Sequence, residues 1–144
     1  MRYPFIEFIQ GLASAIPLKE AFDLIIVNFV FHWMDRSSLL RSVAEIDRLL
    51  EDKGFLIIGD FFPSGQLRVP YHHLPNQQVY TYKQNYAAPF LTSGLYRLVC
   101  VLTGEHASKA LVADVPEMER IGVFLLQKTL TEGYVESNFP IREE

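Results

Sequence analysis

A few polar residues stand where chemistry can be done in an otherwise apolar chain. Asn28 and Asp60 each come directly after an apolar run, the first after Phe22 to Val27 and the second shortly after Phe55 to Ile58. If the two runs are parallel strands, both polar groups lie at the carboxyl edge of the sheet, where open α/β sheets bind ligands. Asn also ends strands for a local reason, since it tolerates turns. His32 follows Asn28 closely, with Trp33 beside it. An imidazole titrates near neutral pH, so His32 can orient a substrate hydroxyl or take its proton. A packed imidazole bonded to backbone is the competing reading. Asp60 can bind substrate or act as a base, but a carboxylate accepting backbone N–H bonds at a turn accounts for it as well and is favoured. His72-His73 invites a metal reading, yet adjacent side chains of an extended segment point to opposite faces and no third ligand stands at a useful spacing, so no metal is expected. Tyr80, Tyr82, Lys83 and Tyr86 combine stacking area, hydroxyls and a cation, the makings of a substrate wall. An ordinary edge element of amphipathic side chains explains them equally. Ser64-Gly65 and Ser93-Gly94 lack the paired glycines of a nucleophile elbow, and there is neither a Walker loop nor a Cys-x-x-Cys.

The elements that must position these residues are legible from spacing. Phe22 to Val27, rich in Ile and Val, has the look of a parallel strand buried on both faces, and Phe55 to Ile58 is a second such run. Between them Leu39, Val43, Ile46 and Leu50 fall on one face of a helix. Asp35, Ser37 and Ser38 are its N-cap candidates, and Gly54 stands where the helix gives way to the strand. Upstream, Tyr3 to Gln10 is expected to be a strand, confined by Pro4 to an edge or to the strand's start. A loop of small residues from Gly11 to Pro17 follows. Ser64 to Asn85 is punctuated by Gly65, Pro70 and Pro75. Beyond it the pattern predicts a short strand at Val79 to Lys83, a helix at Tyr86 to Ser93 closed by Gly94, and a strand at Tyr96 to Leu102. A loop at Glu105 to Met118 and a strand at Ile121 to Gln127 complete the series, the last run also fitting a helix.

Composition sets the outer limits. A chain of 144 residues is one domain by length and buries enough surface for an ordinary core. With 49% hydrophobic and 13% aromatic residues it is not a disordered chain. A net charge of −4 with both signs interspersed is no nucleic-acid footprint. The lone Cys100 excludes an internal disulfide, and its apolar neighbours suggest a buried thiol. No apolar run reaches the ~20 residues that span a bilayer, and MRYPFIEFIQG lacks the arrangement of a secretory signal. A cytoplasmic protein with no membrane and no nucleic-acid partner is therefore expected. Residues 1–133 form the expected domain, and 134–144 a polar tail.

The succession FDLIIVNFVFHW, a helix ending RLLEDKG, and FLIIGDF resembles the second half of a class I S-adenosylmethionine-dependent methyltransferase, from the fourth strand into the fifth. The resemblance implies an α/β, Rossmann-like, three-layer domain, with Tyr3 to Gln10 as its third strand and the last two strands as an antiparallel hairpin beside the fifth. It implies S-adenosyl-L-methionine as cofactor, approached by Gly11, Leu12, Ala13, Asn28, Phe29 and Trp33. Leu12 replaces the acidic residue usual in that loop, which removes a side-chain bond to the adenine. His32, and less strongly Asp60, take the catalytic positions. Tyr80, Tyr82, Lys83 and Tyr86 fall where the family shapes its substrate pocket. Methyl transfer to a small-molecule acceptor is the implied activity; it needs mainly in-line geometry and a dry pocket, so no strong catalytic motif is demanded. No Gly-x-Gly occurs in the chain, so relative to the family it reads as N-terminally truncated, without the first two strands and the Gly-rich loop. The chain as written is accordingly expected to bind cofactor weakly. The alternative is a non-catalytic remnant or partner subunit that binds another chain through an open sheet edge, and self-association or a missing N-terminal segment is expected.

Overall fold

A computed structural model describes residues 5–108 and 110–134. Its centre is a four-stranded mixed sheet with the order β1-β2-β6-β5. Strand β1 is Phe22–Asn28, β2 is Leu50–Phe61, β5 is Tyr96–Glu105 and β6 is Arg120–Lys128. β1 runs parallel to β2, with Ile25 opposite Leu56 and Val27 opposite Ile58. β6 lies antiparallel between β2 and β5, so the hairpin expected beside the second parallel strand is formed, and Ile121 to Gln127 is strand rather than helix. Helix α1, Leu39–Leu49, makes the crossover, and helix α2, Ala88–Thr92, leads into β5. A second sheet of two strands, β3 at Leu67–Pro70 and β4 at Tyr80–Lys83, stands apart from the first. No described helix is long and apolar enough to cross a membrane.

The crossover forms as its pattern dictates. Leu39, Ile46 and Leu49 of α1 are buried, and Leu50 continues their row into the sheet. Ser38 precedes the helix, but its hydroxyl donates to the carbonyl of Asp35 and leaves the first helical N–H groups uncapped by side chains. β2 is irregular near its start, where its register against β1 shifts. Lys53 has a φ of 67°, and a Cβ on Gly54 would lie 2.9 Å from the Glu51 carbonyl oxygen and 3.1 Å from that of Asp23. Only glycine fits so close an approach of three backbone segments.

Both helices cover the same face of the sheet. Leu56 and Ile58 of β2, Phe124 and Leu126 of β6, Ile46 of α1 and Phe90 of α2 belong to one buried cluster. No described helix lies on the opposite face. There Leu24 and Ile26 of β1, Phe55 of β2 and Val123 of β6 are exposed. The expectation that Phe22 to Val27 is buried on both faces is thus corrected: β1 is parallel but is the sheet's edge strand, and Ile26 is 61% exposed. Cys100 is corrected too. Its register opposite Leu125 places it on the uncovered side, and its thiol is exposed.

Over the described part of the expected strand at Tyr3 to Gln10, residues 5–10, no strand forms. Tyr3 and Pro4 lie outside the described residues, and 5–10 pair with no strand, Phe5 and Phe8 being almost wholly exposed. A strand needs a ladder partner for its backbone groups, and alternation alone cannot supply one. The segment after it is held by α1 instead. The Ile16 N–H donates to Glu45, and the Arg48 guanidinium donates to the carbonyls of Ile16 and Leu18. The expected tail lies outside the described residues beyond Tyr134.

Candidate functional site

The site is built where β1 and β2 end. Asn28 closes β1 opposite Gly59, and the next residue, Phe29, turns left-handed with a φ of 53° while its N–H donates to the Gly59 carbonyl at 2.7 Å. A bulky residue with positive φ is costly. The reversal directs the chain into a short 3₁₀ turn, Phe31–Trp33. That turn carries His32 back over the end of β2, where Asp60 stands. Phe31 anchors the turn from below, stacked on Tyr86 at 5.2 Å between ring centroids.

His32 and Asp60, 28 residues apart in sequence, form a buried pair. His32 is 3% exposed and Asp60 2%. The imidazole Nδ1 lies 2.8 Å from Asp60 Oδ1. Asp60 also accepts the backbone N–H groups of Phe61 at 2.7 Å and of His32 at 3.3 Å. A carboxylate only accepts, so Nδ1 carries the proton in this bond and Nε2 keeps its lone pair. The carboxylate orients the ring and stabilises the imidazolium that would form when Nε2 takes a proton, the division of labour of a His–Asp couple in acyl-transfer enzymes. Asp60 accepts backbone N–H bonds at the strand's end, as the favoured reading held, and it also partners the histidine, which the sequence did not indicate.

His32 lines a cavity of about 520 Å³. Phe29, Trp33, Phe61 and Tyr71 give it aromatic walls. Thr81 and Lys83 enter from β4, and His106 and Glu119 from the two ends of the β5–β6 connection. His72 and His73 reach it from the β3–β4 connection, so all four histidines of the chain line this one space. The expected divergence of His72 and His73 is therefore corrected. The segment after Pro70 is a turn and not extended, and their rings lie 3.9 Å apart. Among the described residues no group of three or more His, Cys, Asp or Glu is placed to hold a metal ion.

The aromatic and cationic cluster divides. Thr81 and Lys83 alternate with Tyr80 and Tyr82 along β4, so only the first pair faces the cavity. Tyr80 lies under the Arg68 guanidinium and Tyr82 under that of Arg36. Tyr86 belongs to the core: its hydroxyl donates to the Tyr82 carbonyl, and burial pushes its pKa up to about 12. Of the four residues expected to shape a substrate pocket, Lys83 alone lines this cavity. Of the residues expected around a cofactor, Phe29 and Trp33 line the cavity and Asn28 stands beside it. Asn28 is exposed over Gly59, where an added Cβ would lie 2.5 Å from its Oδ1. Gly11, Leu12 and Ala13 lie elsewhere, in a small cleft with Ile9, Ile16, Pro17 and Leu18.

His106, Glu119, Phe61 and Tyr71 were not singled out from sequence. His106 and Glu119 meet because the β5–β6 ladder ends there, the His106 N–H donating to the Glu119 carbonyl at 2.8 Å. Nothing local marks them. Phe61, directly after Asp60, could have been found from its place at the carboxyl edge.

The sheet order and the crossover define a Rossmann-like α/β fold, with the cavity at the carboxyl edge of its parallel strands. Residues 1–58 match the family described as "Methyltransferase domain". A malonyl-[acyl-carrier protein] O-methyltransferase of Halalkalibacterium halodurans is 31% identical over 65 residues, 42% of this chain and 23% of that protein. The fold is similar to that of a SAM-dependent methyltransferase of Methanosarcina mazei, with a TM-score of 0.64 at 13% identity, over 83% of this chain and 66% of that one. It is also similar to the 1,6-didemethyltoxoflavin-N1-methyltransferase of Burkholderia thailandensis, with a TM-score of 0.61 at 18% identity, over 85% of this chain and 50% of that one. That structure holds 1,6-didemethyltoxoflavin and S-adenosylhomocysteine. The fold is thus the one that class I S-adenosylmethionine-dependent methyltransferases have, and the first 58 residues carry the family's sequence pattern. It spans half to two thirds of the length of these two solved relatives, and the segment it shares with the curated one is under a quarter of that protein.

Proposed function

We propose that the protein transfers a methyl group from S-adenosylmethionine to a small-molecule acceptor seated in the cavity between the β1 and β2 ends and the β3–β4 sheet, with His32 as general base. The observation that carries this reading is the buried His32–Asp60 pair lining a space with aromatic walls. The cofactor, when bound, supplies a methyl group on a sulfonium for in-line transfer to an acceptor heteroatom. His32 Nε2 takes the proton that the acceptor loses, and Asp60 holds the ring and balances its charge. Phe29, Trp33 and Phe61 keep water from the path and strengthen every charge interaction inside. Asn28, exposed at the carboxyl edge, and the flat faces of Phe29 and Trp33 are the groups suited to hold the cofactor on this side of the sheet. Gly11 to Ala13 form a separate cleft and would touch it only at another end. The acceptor is small because a space of about 520 Å³, bordered on one side by β3 and β4, seats a molecule of that class.

The test is transfer of a radioactive methyl group by the product of the whole reading frame that contains these residues. His32→Ala is expected to lower kcat by about 10²-fold or more, and Asn28→Ala to raise the cofactor's KM. Full activity in both variants would place the chemistry elsewhere.

A further inference from the structure

The cavity holds a second group, Lys83, whose state the methyl-transfer chemistry does not explain. Its side chain is buried, the residue being 7% exposed. An ammonium has three N–H donors. One goes to the Met118 carbonyl, and the nitrogen sits 3.7 Å from the centre of the Phe61 ring, which takes up a second direction. No described carboxylate lies within ion-pair distance of it. The two acidic groups whose field it feels are already engaged, Asp60 with His32 and Phe61, and Glu119 beside His106 at 3.7 Å. Burial holds the Lys83 pKa below the usual lysine range, with Glu119 and Asp60 opposing that shift. A buried cation without a counter-ion is expensive, and the expense is relieved when an anion arrives.

We propose that Lys83 is the seat for an anionic group of the acceptor, and that the acceptor is a flat aromatic carboxylate whose nucleophile faces His32. This rests on the methyl-transfer reading for the role of His32, but not for the binding itself. Three features select that class. The walls are aromatic and favour a ring that can stack. Lys83 and His32 lie against the same Phe61 ring, the ammonium 3.7 Å and the imidazole centre 5.1 Å from its centroid. A molecule about one ring across can therefore present a carboxylate to the first and a hydroxyl or amine to the second. The remaining N–H of Lys83 is available to it, and a charge-assisted bond in so dry a place is strong.

The experiment is a calorimetric or amide-shift titration of this chain, without cofactor, with 4-hydroxybenzoate and with its neutral isostere 4-hydroxybenzamide. The carboxylate is expected to bind about tenfold tighter or more. Lys83→Met should abolish the preference and Lys83→Arg should keep it. Lys83→Gln, neutral but polar, carries the same readout where Lys83→Met does not fold. Equal binding of the two probes, binding of neither, or a preference that survives Lys83→Met or Lys83→Gln overturns the proposal. The cofactor's own carboxylate is the other source of an anion, so L-methionine is titrated in parallel. Methionine binding that depends on Lys83 would assign the seat to the cofactor and also overturn it. No turnover is measured here, so failure of this inference and failure of the methyl-transfer reading are separate results.

Discussion

At the residue scale, the site depends on one backbone reversal. Phe29 in the left-handed region bends the chain after β1, and only that bend brings His32 onto Asp60. The two residues were each legible as polar groups at the edge of a parallel sheet. Their pairing was not, because it is set by a dihedral angle that no residue type at position 29 announces. Lys83 shows a different limit. A period of two along Tyr80 to Lys83 separates Lys83 from the tyrosines, and reading the segment as one cluster conceals it. His72 and His73 were misjudged because a turn was read as extended chain. Asp60→Asn tests the pair. The amide keeps one acceptor oxygen for three N–H groups and turns its own NH2 on at least one of them. A buried N–H left unsatisfied costs about 1–3 kcal/mol, and a loss of stability of that size is expected in a denaturant melt. In the methyl-transfer assay kcat should drop with little change in the acceptor's KM, because a misoriented imidazole affects the transition state more than binding. An unchanged kcat would show that Asp60 serves the strand's end alone.

At the element scale, two contacts set what the site rests on. The first is the clamp of α1 on the loop at Ile16 to Leu18. Arg48 beside Glu45, together with the Ile16 N–H, holds the Glu45 carboxyl below its ordinary pKa. A carboxylate whose folded pKa is depressed stabilises above its unfolded value, about 4.3. That contribution disappears as the pH falls through the folded value. The protection of the Ile16 amide relative to its intrinsic exchange rate should therefore fall on acidification below about pH 4, and Glu45→Gln should remove the acid step while leaving that protection low at neutral pH. Exchange at Ile16 that is insensitive to both would show that the loop is held by Arg48 alone. The second contact is at Gly122, opposite Asp60 in the β2–β6 ladder. An added Cβ would lie 2.7 Å from the Phe124 ring and 3.1 Å from Phe62. Neither ring can easily yield, since the two pack edge to face at 4.9 Å. Gly122→Ala should cost about 1–3 kcal/mol in a denaturant melt, the usual range for an overfilled core. The crossover, α2 and strands β4 to β6 were legible from spacing, because each carries its own apolar run, whereas β3 and the turn at Phe31–Trp33 are too short to show a period and were not read. Tyr3 to Gln10 has such a period as well, and it fails because pairing is not a local property.

At the scale of the whole molecule, the unbalanced feature is the sheet's second face. α1 and α2 cover one side, while Leu24, Ile26, Phe55, Val123 and Leu102 lie exposed on the other. Leu24 stands opposite Phe55 and Val123 opposite Leu102, and the row Ile26, Ile57 and Leu125 lies between the two pairs, so they form one apolar surface and not scattered side chains. The outer edge of β1 adds a row of backbone groups that no described strand pairs. A surface of this kind binds something, and an open edge offers a template for another strand. In a solution of this chain alone the available occupant is a second copy, whose identical face is apolar in the same places. Sedimentation velocity over a concentration series should therefore show association, with no stable monomer at high concentration. Leu24→Lys with Ile26→Lys places two charges on that face of the edge strand without touching the buried cluster. The pair should shift the equilibrium toward monomer while the melting temperature changes little. Such a substitution leaves Ile25 and Val27 in the core, so loss of association cannot be ascribed to unfolding. A wild-type chain that sediments as a clean monomer throughout would remove the argument, and with it the reading of this protein as a subunit that pairs through its sheet.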